Sequence, residues 1–179
     1  EDFTSIRDIL NNNPNLIGAA PYIETQGLVS SGSFLKGVYI YGVDTDYEKS
    51  VSQISSHIVE GNFDSLDDSG FNLVIGDILA FQLGVGIGDF INVLVPDTGM
   101  GIAGIFPRTK RFKISAIFSV GAPELDQSFA FMSIKNASKL LRMGNAINGV
   151  RLKYQDLFLA DYEVRSDLAN LQSATKQRF

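Results

Sequence analysis

The chain has 179 residues, of which 45% are hydrophobic and 20% are charged, and its formal net charge is −5. This length and balance predict one globular domain or two small parts with a proper hydrophobic core, and they exclude a disordered chain. The acidic charge argues against a general nucleic-acid-binding surface, which would be basic. The chain has no cysteine, which excludes disulfides and thiolate chemistry, and no apolar run reaches the ~18 residues of a membrane span.

Short helical and alternating hydrophobic patterns follow one another along the chain, and their mixture predicts the α+β class. In chain order the predicted elements are a helix over Asp2–Leu10, strands over Leu16–Glu24, Gly27–Ser31, Phe34–Val43 and Asn72–Ile75, a helix over Gly76–Leu83, strands over Phe90–Val95, Phe112–Phe118 and Ser128–Ser133, a helix over Ile134–Leu141, a strand over Gly149–Tyr154 and a helix over Leu159–Leu171.

The segment Pro96–Arg111 is too long for an ordinary hairpin loop, since such loops usually have about two to five residues. The flanking strands alternate, with one predicted face formed by Phe90, Asn92 and Leu94, and another by Phe112, Ile114, Ala116 and Phe118. The loop has an apolar tip and a basic descending arm, formed by Met100, Ile102, Ile105, Phe106, Arg108, Lys110 and Arg111. This pattern predicts a protruding hairpin that contacts a partner or a lipid, or else a flap that folds back on its own sheet.

Glycines and acidic residues elsewhere match ligand-binding motifs only in part. Gly84, Gly86 and Gly88 follow a predicted helix, whereas a dinucleotide fingerprint follows a strand and opens a helix, so we interpret them as cap and turn residues. Asp44, Asp46 and Glu48 begin like a calcium loop that lacks its glycine and its final glutamate. We therefore predict a solvated acidic turn there, and surface positions for Asp64, Asp67 and Asp68.

His57 is the only histidine, and no nucleophile motif accompanies it, so a structural role is favoured over a catalytic one. Asn136 begins a short glycosylation sequon on a predicted helix, where a chance match is the better explanation. No metal site, cofactor site or catalytic residue is predicted. A binding or coupling domain is thus favoured over an enzyme, with a polar pocket around His57 as the feature that would support an enzyme.

Several stretches resemble one family. Leu73–Pro96 resembles the pattern of the extracytoplasmic domains of MacB-like ABC permeases. Pro107–Phe118, Glu124–Gly144 and Gly149–Phe158 are together similar to the periplasmic domain of the lipoprotein-releasing permeases LolC and LolE. The resemblance covers roughly residues 37–160 and leans towards LolE or the merged permease LolF.

The resemblance implies a MacB-like periplasmic core with two parts. Residues 1–45 and 147–179 would form a membrane-proximal porter-like part, and residues 46–146 an inserted sabre-like part of strands and helices. The chain would be a soluble fragment of a multi-pass protein on the periplasmic face of the bacterial inner membrane, and its ends are expected to be cut points.

The resemblance also implies the partners. In this family a triacylated lipoprotein passes to the soluble carrier LolA, a second permease subunit completes the membrane part, and a LolD-like ATPase hydrolyses ATP in the cytoplasm. The domain itself would bind and couple without catalysis. A MacB- or FtsX-like mechanotransmission domain, serving another substrate or a cell-wall enzyme, is the alternative.

By position, the carrier-recruiting hook of LolC-like domains matches Thr98–Arg108. Pro107 matches the second proline of such hooks, whereas Gly99 stands where they have the first. The partner-binding residues that the resemblance implies are Thr98, Gly99, Met100, Ile102, Ile105, Phe106, Pro107, Arg108 and Arg111.

Overall fold

The computed structural model describes residues 3–67, 69–96, 107–156 and 158–175. Asp2, predicted to begin the first helix, and Asp68, predicted to lie on the surface, are outside these ranges. The described residues form eight strands and six α-helices, which confirms the α+β class. The strands are β1 Leu16–Ser31, β2 Phe34–Val43, β3 Ile58–Gly61, β4 Asn72–Gly76, β5 Phe90–Val95, β6 Arg108–Phe118, β7 Phe129–Ser133 and β8 Gly149–Tyr154. The helices are α1 Phe3–Leu10, α2 Thr45–Val51, α3 Asp77–Leu83, α4 Pro123–Asp126, α5 Ile134–Leu141 and α6 Ala160–Thr175.

The strands pair into one mixed sheet whose hydrogen bonding closes on itself. The order β2–β7–β4–β6–β5–β1 returns to β2, because β1 pairs with both β5 and β2. The β2–β7 and β4–β6 pairs are parallel, and the other pairs are antiparallel. Two strands lie outside this cycle: β8 pairs with the first half of β1, and β3 pairs with the second half of β6.

β1 is a single strand of 16 residues, whereas the sequence predicted two strands with a break at Thr25 and Gln26. The prediction of a break is wrong, because the ladder with β2 runs without interruption from Tyr22 opposite Val43 to Ser31 opposite Phe34. Gly27 serves close packing here: a Cβ atom at this position would lie 2.6 Å from the carbonyl oxygen of Leu94. At about 3.3 Å per residue, β1 spans roughly 50 Å.

The two faces of the sheet form two hydrophobic cores. The main core packs α3 and α5 against one face, with buried residues such as Ile40, Leu73, Ile91 and Phe112. The second core lies on the other face beneath the 3-10 turns Ile54–His57 and Phe63–Asp67, and its buried members are Val43, Phe63, Leu66, Val74, Ala116, Phe118 and Phe131. A third, smaller cluster joins α1, α6 and β8 near the two ends of the chain.

A β-bulge at Ser115 corrects the predicted face of β6. Leu73 of β4 pairs with Ile114, but the next residue, Val74, pairs with Ala116, so Ser115 is the extra residue. Phe112 and Ile114 therefore lie in the main core, whereas Ala116 and Phe118 lie in the second core. The expectation that all of them share one face is wrong, because the bulge shifts the alternation by one residue.

The strands of the porter-like and sabre-like stretches pair within this one sheet. β1, β2 and β8 come from the porter-like stretch, and β3 to β7 come from the sabre-like stretch. The division into two parts stays a prediction. Among the described residues, no helix combines the length and the apolar character that crossing a membrane requires.

Candidate partner-binding site at the hairpin stem

The β5–β6 hairpin carries the long loop that the sequence predicts to contact a partner. Its strands pair antiparallel from Phe90 opposite Lys113 to Val95 opposite Arg108. One row of the hairpin is at most 1% exposed, and it consists of Ile91, Val93, Val95, Phe112 and Ile114. Burial of such side chains contributes roughly 1.5–3 kcal/mol each, so the stem is firmly held in the main core.

The structure corrects the C-terminal bound of the predicted loop Pro96–Arg111, because β6 begins at Arg108. Its first residues are polar, so hydrophobic alternation could not mark them as strand. Their backbone groups nevertheless pair with the stretch Asn92–Val95 of β5. Arg108 and Arg111, predicted as loop residues, are therefore strand residues at fixed positions on the stem.

Three basic side chains of the stem, those of Arg108, Lys110 and Arg111, each contact a group of the chain itself. Arg108 donates from Nη1 to the carbonyl oxygen of Leu140 at 3.4 Å, in the last turn of α5, where the helix dipole favours a cation. The Lys110 ammonium lies 4.2 Å from the ring centroid of Phe71. The Arg111 guanidinium lies 4.4 Å from the ring centroid of Phe90. Lys110 and Arg111 are exposed, so both charges face solvent.

Of the predicted partner-binding residues, the structure places Pro107, Arg108 and Arg111 on the stem, with Arg108 and Arg111 on opposite faces of β6. Pro107 is exposed and directly precedes β6. The others lie outside the described residues, and their binding role stays a prediction: Thr98, Gly99, Met100, Ile102, Ile105 and Phe106.

An exposed apolar strip that sequence reasoning missed continues from the stem onto β1. Phe90 is 51% exposed, and Leu28 of β1, which is 41% exposed, pairs directly with Leu94 on the same face. Arg111 lies on this face as well, because it pairs with Asn92. We call Leu28, Phe90, Leu94 and Arg111 the hairpin face. Alternation in β5 indicated two of these residues, but the pairing of β1 with β5 is long-range and leaves no local signal.

The glycines that resembled a phosphate motif cap a helix and form a turn, as predicted. Gly84 ends α3 in the left-handed conformation, at φ 65°, and its N–H donates to carbonyl groups of the last helical turn. Gly88 has φ 92°, and the carboxylate of Asp89 accepts from the N–H of Gly86 at 2.9 Å. These groups are thereby engaged within the turn.

The acidic segment differs from the predicted solvated turn at one residue. Asp44 caps α2 by accepting from the N–H of Tyr47. Glu48 is only 1% exposed and forms an ion pair with Arg151 of β8. Sequence reasoning missed both residues of this ion pair. The available signal was the spacing of Thr45 and Glu48, which places both side chains on the buried side of α2. No group of three or more potential metal-ligating acidic, histidine or cysteine residues occurs within the described ranges.

His57 and Asn136 have structural contacts. The Nδ1 atom of His57 lies 2.9 Å from the carbonyl oxygen of Gln53, one helical turn earlier. Asn136 is 5% exposed, and its Nδ2 donates to the carbonyl oxygen of Gly70 at 2.9 Å. A glycan on Asn136 would displace this buried contact, which favours the interpretation of the sequon as a chance match.

The chain is similar to permeases of the lipoprotein-releasing system. It is 37% identical over 156 residues to the lipoprotein-releasing system transmembrane protein LolC of Xylella fastidiosa strain Temecula1, covering 87% of the chain and 37% of that protein. It is 30% identical over 152 residues to LolE of Haemophilus influenzae, covering 84% of the chain and 36% of that protein. The chain thus spans little more than a third of these relatives, and no protein-family model matches it.

Solved structures show the same fold at low sequence identity. The extracellular domain of the ABC-type transporter YknZ from Gram-positive bacteria superposes with a TM-score of 0.68 at 9% identity, covering 99% of this chain and 86% of that one. The periplasmic region of MacB from Actinobacillus actinomycetemcomitans superposes with a TM-score of 0.63 at 14% identity, covering 98% and 75%. The predicted resemblance to LolC and LolE and the MacB-like fold are confirmed. The lean towards LolE stays a prediction, because relatives of both names match.

Proposed function

We propose that this chain is the extracytoplasmic domain of a permease subunit in an ABC transporter that releases lipoproteins from the bacterial inner membrane. The observation that carries the proposal is the similarity to LolC and LolE over most of the chain, together with the MacB-like fold. The domain would lie on the periplasmic face of that membrane. ATP hydrolysis would belong to a separate LolD-like subunit, and a second permease subunit would complete the complex.

In this proposal the β5–β6 hairpin recruits a LolA-like carrier, which receives the triacylated lipoprotein. The stem supports this role because its buried row holds Val95 and Arg108, the paired residues on either side of the loop, firmly in the sheet. The loop would supply apolar anchors, and the hairpin face would supply further apolar contact and the charge of Arg111. An interface of this kind draws most of its affinity from a few buried apolar or aromatic residues.

The domain would also couple the membrane part of the transporter to the hairpin. The support lies in β1, whose first half pairs with β8 and whose last residues pair with β5. A displacement at the α1–α6 end of the chain would reach the hairpin through continuous backbone hydrogen bonds, as in other domain motions of rigid elements. The domain itself would bind and couple without catalysis.

A MacB- or FtsX-like mechanotransmission domain for another substrate is the second candidate, and the YknZ and MacB folds favour it. Replacing residues 98–106 by a short Gly-Ser linker in the full-length permease separates the two. Under our proposal, lipoproteins accumulate in the inner membrane of cells that depend on this variant. Normal lipoprotein sorting, with the variant present at wild-type level, would favour the second candidate.

A further inference from the structure

An open groove of about 420 Å³ lies on the β1–β2 pair, on the face opposite the main core. Two neighbouring pairs of the ladder and the residues between them line it: Gln26, Gly27, Leu28, Gly37, Val38 and Tyr39. Leu28 is 41% exposed and Tyr39 is 47% exposed, whereas the side chain of Val38 is buried in the main core. An aliphatic and an aromatic side chain therefore border the groove, and both are accessible to solvent.

Gly37 keeps this groove open. Seven glycines lie in the strands of the described residues, and at six of them a Cβ atom would come closer than 3.0 Å to another atom of the chain: Gly18, Gly27, Gly42, Gly61, Gly76 and Gly149. A Cβ atom at Gly37 would have no neighbour within 4 Å. Gly37 does not have a positive φ, and the β1–β2 ladder runs through it without a bulge, so its backbone conformation does not require glycine either.

Close packing within the chain thus accounts for six of the strand glycines but not for Gly37. A glycine weakens a strand, because it has no side chain to pack and loses more conformational entropy on folding than other residues. Strand glycines also occur where a ligand or another protein backbone approaches the sheet closely. The missing side chain at Gly37 therefore points to a group from outside the chain that occupies the groove.

The groove is continuous with the hairpin face. Leu28 belongs to both, since it pairs with Gly37 on one side and with Leu94 of β5 on the other. Leu94 directly precedes Val95, whose pairing with Arg108 is the last of the hairpin before the loop. A protein that contacts the loop and the hairpin face together would therefore also cover the groove.

We propose that the groove receives an apolar side chain of the LolA-like carrier, which lies directly over Gly37. This inference rests on the proposed function, because the hairpin would supply the rest of the interface. The apolar side chain would pack between Leu28 and Tyr39, and the removal of this surface from water would favour binding. A charged side chain would lose hydration without finding an opposite charge, since none of the six groove residues is charged.

The test fills the groove in the full-length permease, held in lipid nanodiscs, and measures its affinity for the LolA-like carrier of the same organism. Gly37→Phe adds a ring where the chain has no neighbouring atom, and Gly37→Ala adds only a methyl group. We expect Gly37→Phe to weaken carrier binding by about tenfold or more, because the ring takes the place of the carrier's side chain, and Gly37→Ala to weaken it less.

Val59→Phe on β3 is the control, since Val59 is 57% exposed and lies outside the groove lining. It adds a ring to an exposed strand position and should leave carrier affinity at the wild-type value. Thermal unfolding shows whether each variant is folded. If Gly37→Phe does not fold, Gly37→Val provides the same test with a smaller side chain that suits a strand.

The outcomes separate this inference from the proposed function. Wild-type carrier affinity in a folded groove-filling variant, with saturable binding by the wild-type permease, would refute the groove and leave the role of the hairpin intact. No carrier binding by the wild-type permease would overturn both. A change of oligomeric state in the variant, with unchanged carrier affinity, would assign the groove to a second copy of the chain and refute the carrier as its occupant.

Discussion

The hydroxyl group of Tyr154 joins β8 to α6 and to the turn after α1. It donates to Asp167 at 2.7 Å, and Asn13 donates from Nδ2 to the same carboxylate at 3.1 Å and to Glu163 at 2.9 Å. Tyr154 is 5% exposed and Asp167 is 4% exposed. Burial, together with the hydrogen bond to the Asp167 carboxylate, raises the pKa of Tyr154 well above its ordinary value.

Tyr154→Phe should make the chain less sensitive to alkaline pH. The pKa is raised in the folded state, so the stabilisation is complete below the unfolded pKa near 10 and declines above it, by at most about 1.4 kcal/mol per pH unit. At pH 8 the variant should lose about 1 kcal/mol with its hydrogen bond. Urea unfolding at pH 8 and pH 11 checks this, and the difference between the two proteins should shrink at pH 11. An equal difference at both pH values would contradict the assignment.

Ser115 and Arg108 are residues whose positions in β6 cannot be predicted from local sequence patterns. Alternation correctly identified β6 as a strand, but the bulge at Ser115 depends on the register with β4, which no local pattern contains. The alternation begins at Phe112 and therefore predicts Arg108 as a loop residue, whereas pairing with Val95 places it in the strand. Glu48 was assigned to a solvated turn, although Arg151, more than a hundred residues later, makes its burial possible.

At the scale of elements, local patterns predicted both bounds of β2, β5, β8 and α5, whereas the short helices α2 and α4 were not predicted. α5 has the bounds predicted from its apolar spacing, and Ser133 caps it by accepting from the N–H of Asn136. α3 ends at Gly84, as the C-terminal glycine rule predicts. The strand pairings were not predictable, because they join residues far apart in the chain, as β1 with β8 and β5.

Gly42 determines how closely α5 packs on β2. A Cβ atom at this position would overlap the Cβ atom of Ala137, whereas a Cβ atom at Gly37 on the same strand would meet nothing within 4 Å. Gly42→Ala should therefore cost about 1–3 kcal/mol of unfolding free energy by overpacking. Gly37→Ala, the matched control, should change it by less than about 0.5 kcal/mol. Denaturant unfolding measures both, and equal effects would contradict the close helix–strand contact.

The long loop supplies a prediction about binding energy. If it presents apolar anchors to a LolA-like carrier, Phe106→Ala and Ile105→Ala should each weaken carrier binding by about tenfold or more. Phe81→Ala on α3 is the control, since Phe81 is 87% exposed and is not part of the hairpin. Calorimetric titration with the carrier gives the affinities. Wild-type affinity for the carrier in both loop variants would refute the role of Phe106 and Ile105 as anchors.

At the scale of the whole molecule, the closed sheet connects the hairpin, where a partner is proposed to bind, with the helices at the two ends of the chain. β1 connects the cluster formed by α1, α6 and β8 with the main core that holds the hairpin. The exposed apolar strip and Arg111 lie on the same face of that hairpin, so a partner can contact both, whereas Arg108 and Lys110 pair with the buried Val95 and Val93 on the other face. The sequence indicated the hairpin as the functional element, but the hairpin face required the pairing of β1 with β5.

The central claim is that this domain recruits a lipoprotein carrier through its β5–β6 hairpin. The most direct measurement is the affinity of the chain for the LolA-like carrier of the same organism, compared with a variant in which a Gly-Ser linker replaces residues 98–106. The account predicts saturable binding by the wild-type chain and loss of that binding in the variant, with unchanged thermal stability because the stem remains buried. Equal carrier binding by both proteins, or no binding by the wild-type chain, would contradict it.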